Sequence, residues 1–310
     1  MTEYDSPWKE ALDVYFEAFV AFFFPAAHAD IDWSRGYEPL DKELQKIAPQ
    51  AETGRRTVDK LMKVWRRDGK EEWVLIHGEV QSQQDPEFPV RMYTYNYRLF
   101  DRYNRNVVSL AVLGDDQRGW RPERFGRSLW GCTVDFRFPV VKLLDHADRV
   151  EELERDPNPF AAIVLTHLKT LETRQDPESR RAWKVRLIKG LYERGLGRED
   201  IRQLFRLIDW MMDLPEDLNE QFWLEIEKLE EERTMPYITS VERLGRKKGL
   251  LNGIGVSLKI KFGDEACMLV DELRNIEDNE LLAKVLESIP TAQSVDQLRE
   301  IVSAADRRQE

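Results

Sequence analysis

The chain has 310 residues, 42% of them hydrophobic and 10% aromatic, which is enough apolar material for one to three packed domains and too much for a disordered chain. Asp and Glu number 58 against 47 Lys and Arg, a net charge of -11, so a uniformly basic nucleic-acid coat is excluded and any grip on a polyanion has to come from a local patch. The two cysteines, Cys132 and Cys267, lie far apart and in no CxxC pair, which excludes a disulfide framework and a zinc ribbon.

The most apolar stretch, Phe16 to Ala27, contains Glu17, includes Pro25 and is too short to span a bilayer. It lacks the basic start of a signal peptide, so a soluble, reduced, cytoplasmic protein without a membrane partner is expected. Asp5-Ser6-Pro7 opens a helix, and Leu12, Tyr15, Phe16, Phe19, Phe22 and Phe23 give its run from Trp8 to Phe24 a broad apolar face, ended by Pro25. Gly36 to Ala48 is ambiguous between strand and helix. Thr57 to Trp65 predicts a strand, Asp68-Gly69 a hairpin turn, and Glu72 to Gln81 a second, nearly continuous apolar strand of the kind found at the centre of a sheet.

Asp85-Pro86-Glu87 opens a helix reaching about Asn104, Val107 to Leu113 predicts a buried strand, and Trp130 to Val141 a further one. Helix, hairpin, helix and strand in this order predict an α/β fold with a mixed sheet. From about residue 145 onward helix follows helix, near 145–155, 159–174, 178–194, 198–212, 216–234, 237–262, 265–275, 278–288 and 293–304, punctuated by Asp156-Pro157-Asn158-Pro159 and Asp176-Pro177. Residues 51–140 are slightly basic, whereas residues 141–310 are strongly acidic.

The chemistry-bearing residues gather around the hairpin. Glu79 and Gln81 alternate with Val80 and therefore share one face of their strand, and pairing through Asp68-Gly69 brings Asp59 near Glu79. Two carboxylates brought together at the end of an apolar strand want a hard divalent cation, Mg²⁺ or Mn²⁺. Taken singly, an Asp at a strand start is commonly a turn residue and a Glu-x-Gln at a strand end is commonly solvated. His77, which shares the face of Glu79, reads best as a structural, hydrogen-bonded histidine.

Leu40-Asp41-Lys42-Glu43-Leu44, Val58-Asp59-Lys60-Leu61, Leu75-Ile76-His77-Gly78-Glu79-Val80-Gln81-Ser82 and Phe88-Pro89-Val90-Arg91-Met92 occur in this order with suitable spacing. Together they resemble the Rpn family of recombination-promoting, transposase-like nucleases in the PD-(D/E)xK superfamily. The resemblance covers about residues 1–140. It implies a restriction-endonuclease-like mixed sheet flanked by helices over 1–144, an all-helical extension over 145–236 and a C-terminal helical segment over 237–310. It also implies metal-dependent hydrolysis of a DNA phosphodiester, linked to recombination or mobile elements.

Carried over residue by residue, Asp59 and Glu79 are metal ligands, the Val80 carbonyl completes the inner shell, and Gln81 stands where the superfamily usually has Lys. A Lys stabilises an attacking hydroxide by charge, whereas Gln orients water only through hydrogen bonds. Glu10, on the first helix, is a further candidate ligand, or else a solvent-facing residue beside Lys9. Arg91 and Tyr95, one helical turn apart after the catalytic strand, match a polar-x-x-x-Tyr pair of related nucleases, and Arg91 suits a phosphate bidentately.

Arg56 and Lys60 belong to a basic group with Arg55, Lys63, Arg66, Arg67 and Lys70. Arg118, Arg121, Arg124 and Arg127 form a second, in a loop with Trp120 and Trp130. These groups flank the expected site, while a charge run is more often the mark of a solvated surface. The competing reading is a catalytically weak or inactive nuclease fold that binds DNA or protein, which the overall acidity and Gln81 favour. The glycine-rich run Arg243 to Gly255 follows no strand and lacks the Gly-Lys-Ser/Thr end of a phosphate-binding loop. Its apolar positions offer a surface for homo-oligomerisation. A nucleophile elbow, a His-Glu-x-x-His helix and a dinucleotide loop are all missing from the sequence.

Overall fold

The computed structural model describes residues 7–46, 57–79, 85–233, 239–263, 266, 268–274, 276 and 279–306. The chain divides into two compact units, Met1–Phe222 and Trp223–Glu310.

The first unit is α/β. Its elements run α1 (Pro7–Val14), α2 (Phe16–Phe23), α3 (Pro25–Asp30), β1 (Glu38–Pro39), α4 (Asp41–Gln45), β2 (Thr57–Trp65), β3 (Glu71–Glu79), α5 (Phe88–Tyr103), β4 (Val107–Leu113), β5 (Arg124–Leu129), β6 (Cys132–Arg137) and β7 (Val140–Lys142). Then follow α6 (Val150–Arg155), α7 (Pro159–Glu172), α8 (Pro177–Glu193), α9 (Arg198–Met211) and α10 (Glu216–Arg233), within which the boundary between the units falls.

Five strands form one mixed sheet in the order β1-β2-β3-β4-β7. β2 pairs antiparallel with β1 on one side and with β3 on the other, while β3–β4 and β4–β7 are parallel, with α5 as the crossover from β3 to β4. The β2–β3 hairpin turns through Asp68-Gly69, where Gly69 takes a φ of 85° that L side chains rarely adopt and Asp68 Oδ1 accepts from the Lys70 amide at 3.0 Å. The expected single helix over Trp8 to Phe24 is instead two, broken at Tyr15, whose hydroxyl donates to Asp200 Oδ1 at 2.8 Å. Pro25 stops α2 and starts α3 as its first residue, because its ring disfavours helical backbone at Phe24 yet suits a first turn.

The expected strand over Trp130 to Val141 is also two. Pro139 has no amide to continue a ladder, so β6 pairs only with β5 in a separate two-stranded sheet and β7 joins β4. β5 reads as loop in the sequence because Arg124-Phe-Gly-Arg-Ser-Leu is charged and contains glycine.

Helices α6 to α9 belong to the same unit as the sheet. α7 is buried almost all round from Phe160 to Lys169 and meets Phe19 and Phe23 of α2 through Phe160, at ring separations of 5.2 and 5.8 Å. Its N-cap Asn158 accepts from the Phe160 amide and donates to the Ala18 carbonyl, tying helix start to α2.

His167 of α7 donates through Nε2 to the Gly114 carbonyl at 2.6 Å, just past β4. Burial, opposed by that hydrogen bond and by Asp115, pulls this imidazole down to about 4. Between pH 6.5 and 4 the unfolded chain therefore takes up a proton that the folded chain excludes. Stability present in full above pH 6.5 is lost as pH falls through this window, by about 3 kcal/mol. His167→Gln, which keeps a donor for Gly114, is expected to flatten that slope in urea titrations at pH 7 and pH 4.5.

The second unit is helical: α11 (Thr239–Phe262), α12 (Met268–Leu273), α13 (Asn279–Ser288) and α14 (Val295–Asp306). Its core gathers Ile254, Leu258, Leu269, Leu273, Leu282, Val285, Ile289 and Leu298. The glycine-rich run lies inside α11, where Gly253 allows Leu286 of α13 to approach to 3.4 Å of the place a Cβ would occupy. No helix among the described residues is long and apolar enough to cross a membrane.

Candidate functional site

The site is built from β2, β3 and α5. In the β2–β3 ladder Asp59 pairs with His77, Thr57 with Glu79, and Leu61 with Leu75. Because faces alternate with a period of two, positions 59, 61, 73, 77 and 79 share one side of the sheet. That side is identified by Leu61 and Trp73, which pack with Tyr95 and Leu99 of α5 and with Leu44 of α4. Positions 59 and 79 are thus diagonal cross-strand neighbours, with backbones about 7–8 Å apart. Aspartate and glutamate are hard oxygen donors of the kind Mg²⁺ and Mn²⁺ take.

α5 runs antiparallel to β3. Trp73, near the start of β3, meets Tyr103 at the end of α5 with ring centroids 5.1 Å apart, so the first turn of α5 lies at the Glu79 end. Arg91 is in that turn. It is 6% exposed, and its Nη1 donates to Asp85 Oδ2 at 2.5 Å. Tyr95, one turn on and 2% exposed, stands in the core with Leu61, Trp73 and Leu99. The Arg91-x-x-x-Tyr95 pair is therefore on the inner side of α5, arginine outermost toward the strand end.

Lys60 points to the opposite side of the sheet. It is 3% exposed, and its Nζ donates to Asp13 Oδ1 and Oδ2 at 2.6 and 2.8 Å and to Asp41 Oδ2 at 2.9 Å. Burial pulls its ammonium pKa down, but the hydrogen bonds and charges of Asp13 and Asp41 outweigh burial and hold it above the usual lysine range. A phosphate could take this cation only by detaching it from both carboxylates. Lys60→Met is accordingly expected to lower stability by about 2 kcal/mol in urea unfolding, because Asp13 and Asp41 then face each other without their shared cation.

Glu10 is exposed on α1, the helix whose Asp13 engages Lys60, and so belongs to the layer across the sheet from positions 59 and 79. Arg56, Val80 and Gln81 lie outside the described residues. The described side chains, which do not include those of positions 59, 77 and 79, gather no group of three or more His, Cys, Asp or Glu suited to a metal ion.

A second charged centre went unnoticed in the sequence. Lys142, the last residue of β7, and Asp115, just past β4, form an ion pair at 2.7 Å with both side chains fully buried. Lys142 Nζ also donates to the Trp120 carbonyl at 3.1 Å, and Asp115 Oδ1 accepts from the Gln117 amide at 2.8 Å. This network fills the ends of β4 and β7 and welds the loop 115–120 to the sheet. The signal was a lone lysine in the apolar run Val140-Val-Lys-Leu-Leu144, since a charge there needs a buried partner.

Compared with protein-family models, with curated proteins and with solved structures, the chain finds no match.

Proposed function

We propose that the chain is a metal-dependent DNA endonuclease of the PD-(D/E)xK kind, similar to the Rpn nucleases and linked to recombination or mobile elements. The observation that carries this reading is the β2–β3 register, which sets positions 59 and 79 diagonally on the face covered by α5. Asp59 and Glu79 would hold Mg²⁺ or Mn²⁺, with the Val80 carbonyl as a third donor. When bound, such an ion polarises the scissile phosphate and lowers the pKa of its water. Gln81 would orient the attacking water by hydrogen bonds; the water oxygen bonds to phosphorus as the bridging P–O bond breaks, and a proton from water ends on the departing oxygen. Arg91, in the first turn of α5, would meet a phosphate by exchanging its bond to Asp85 for the ligand.

A restriction-endonuclease-like fold belongs to the same proposal; its support is the mixed sheet with α5 crossing between two parallel strands. The test is metal removal. Plasmid cleavage is expected in Mg²⁺, none in EDTA, with recovery on adding Mn²⁺; equal cleavage with and without EDTA contradicts the reading.

One observation favours a second reading, a non-catalytic nuclease fold that binds DNA or protein. Gln81 replaces the usual lysine, and the lysine beside Asp59 in sequence, Lys60, is engaged by Asp13 and Asp41 on the other face. That reading expects DNA retention with no cleavage in any divalent metal.

A further inference from the structure

The β5–β6 hairpin ends in a two-residue turn, Leu129-Trp130-Gly131-Cys132, with Leu129 paired to Cys132. Trp130 and Gly131 have φ values of 51° and 84°. A turn with positive φ at both central residues favours Asn-Gly or Gly-Gly, and a bulky L residue at the first position is strained. The residue there is tryptophan, 97% exposed, beside Leu129 at 65%. A tryptophan that is both strained and unburied adds nothing to folding, so its presence calls for an external contact.

The hairpin is anchored at its base. Phe125 and Phe136, paired across the strands, both meet Tyr93 of α5, Phe125 stacked on it at 4.6 Å and Phe136 tilted against it at 5.8 Å. A two-stranded ribbon is marginal alone, so this aromatic contact fixes it to the helix that carries Arg91. Arg127 shares the face of Phe125 and Leu129, is exposed, and has no ion-pair partner among the described residues. On the other face Arg124 and Arg137 share one carboxylate, Asp135, at 2.7 and 3.4 Å. Three arginines against one aspartate make the hairpin a basic island on a chain whose net charge is -11.

We propose that this hairpin is a binding arm for single-stranded DNA, in which the Trp130 indole stacks on an unpaired base and Arg127 meets the adjoining phosphate. Every base has a π-face, so the contact tolerates sequence, and the arginines supply the attraction that the rest of the chain opposes. The inference rests on the reading of the chain as a DNA-acting protein, and it names the substrate form: DNA with an unpaired stretch near the cut.

The test is fluorescence anisotropy with a labelled single-stranded oligonucleotide and a blunt duplex of equal length, in EDTA so that cleavage plays no part. The wild type is expected to prefer the single strand. Trp130→Ala is expected to raise its Kd about 10-fold, Trp130→Phe to restore most of the affinity, and Arg127→Ala to reduce the salt dependence of binding. Trp130→Asn is expected to raise Tm by a few degrees while losing the same affinity, because asparagine suits the turn.

Single-strand binding unchanged by Trp130→Ala overturns the proposal. So does a dimer that Trp130→Ala converts to monomer while DNA binding stays unaltered, since the occupant is then a second copy. If the wild type cleaves in Mg²⁺ and Trp130→Ala binds normally, the hairpin proposal alone fails. If Trp130→Ala loses binding in a protein that cleaves in no metal, the nuclease reading alone fails.

Discussion

Asp115→Ala is expected to lower the stability of the sheet-bearing unit by about 3–5 kcal/mol, because it leaves Lys142 fully buried without its carboxylate, beside the carbonyl and ring of Trp120. For a unit of this size the loss corresponds to a drop in Tm of about 6–20 °C. The amide of Gln117 loses its acceptor as well, so the loop that follows β4 should loosen. The pairwise replacement behaves differently: Asp115→Leu combined with Lys142→Met removes both charges together and is expected to recover most of the stability, since a buried pair and an apolar pair of similar volume are close in free energy. Urea unfolding of the single and double variants measures the coupling, and a double variant as unstable as Asp115→Ala would show that the hydrogen bonds to Gln117 and Trp120, not the charges, hold this corner.

Asp59→Ala is expected to reduce Mg²⁺-dependent DNA cleavage by at least about 10³-fold, equivalent to about 4 kcal/mol of transition-state stabilisation. Removing one of two carboxylates halves the anionic charge offered to the cation and frees its position, and both losses act on the same step. The far-ultraviolet circular dichroism should stay that of the parent, because position 59 is near the start of β2 and Leu61, Met62 and Val64 beyond it provide the packing. Asp59→Asn, which keeps the shape and removes the charge, should lose nearly as much activity. Cleavage within a few-fold of the parent in either variant removes Asp59 from the catalytic role.

Elements with strong local periodicity were legible in the sequence. β2 and β4 fall on their expected residues, and α7 to α10 start and stop at Pro159, Pro177, Gly197 and neighbouring caps, because capping and proline chemistry act over a few residues. The hairpin through Asp68-Gly69 was legible too, whereas its register, with Asp59 opposite His77 and Thr57 opposite Glu79, came from the structure.

What was not legible depends on contacts distant in sequence. The break at Tyr15 answers to Asp200, 185 residues away, and the inward turn of Lys60 answers to Asp13 and Asp41. The burial of Lys142 answers to Asp115, which as part of Gly114-Asp115-Asp116 looked like ordinary turn chemistry. The basic group around residues 55–70 illustrates the same point: alternation along β2 sends Lys60 into a buried triad while Lys63, on the other face, lies against Glu38 at 2.5 Å. Charge counts along a strand say nothing of which side each charge takes until the register is known.

Asp59 and Glu79, on paired strands, are proposed to grip one divalent ion together. Isothermal titration with Mn²⁺ addresses it without requiring a substrate. The wild type is expected to take up one ion, and Glu79→Ala and Asp59→Ala to lose that uptake while both variants remain folded. Identical isotherms for the wild type and Glu79→Ala, or no uptake by either, would contradict it.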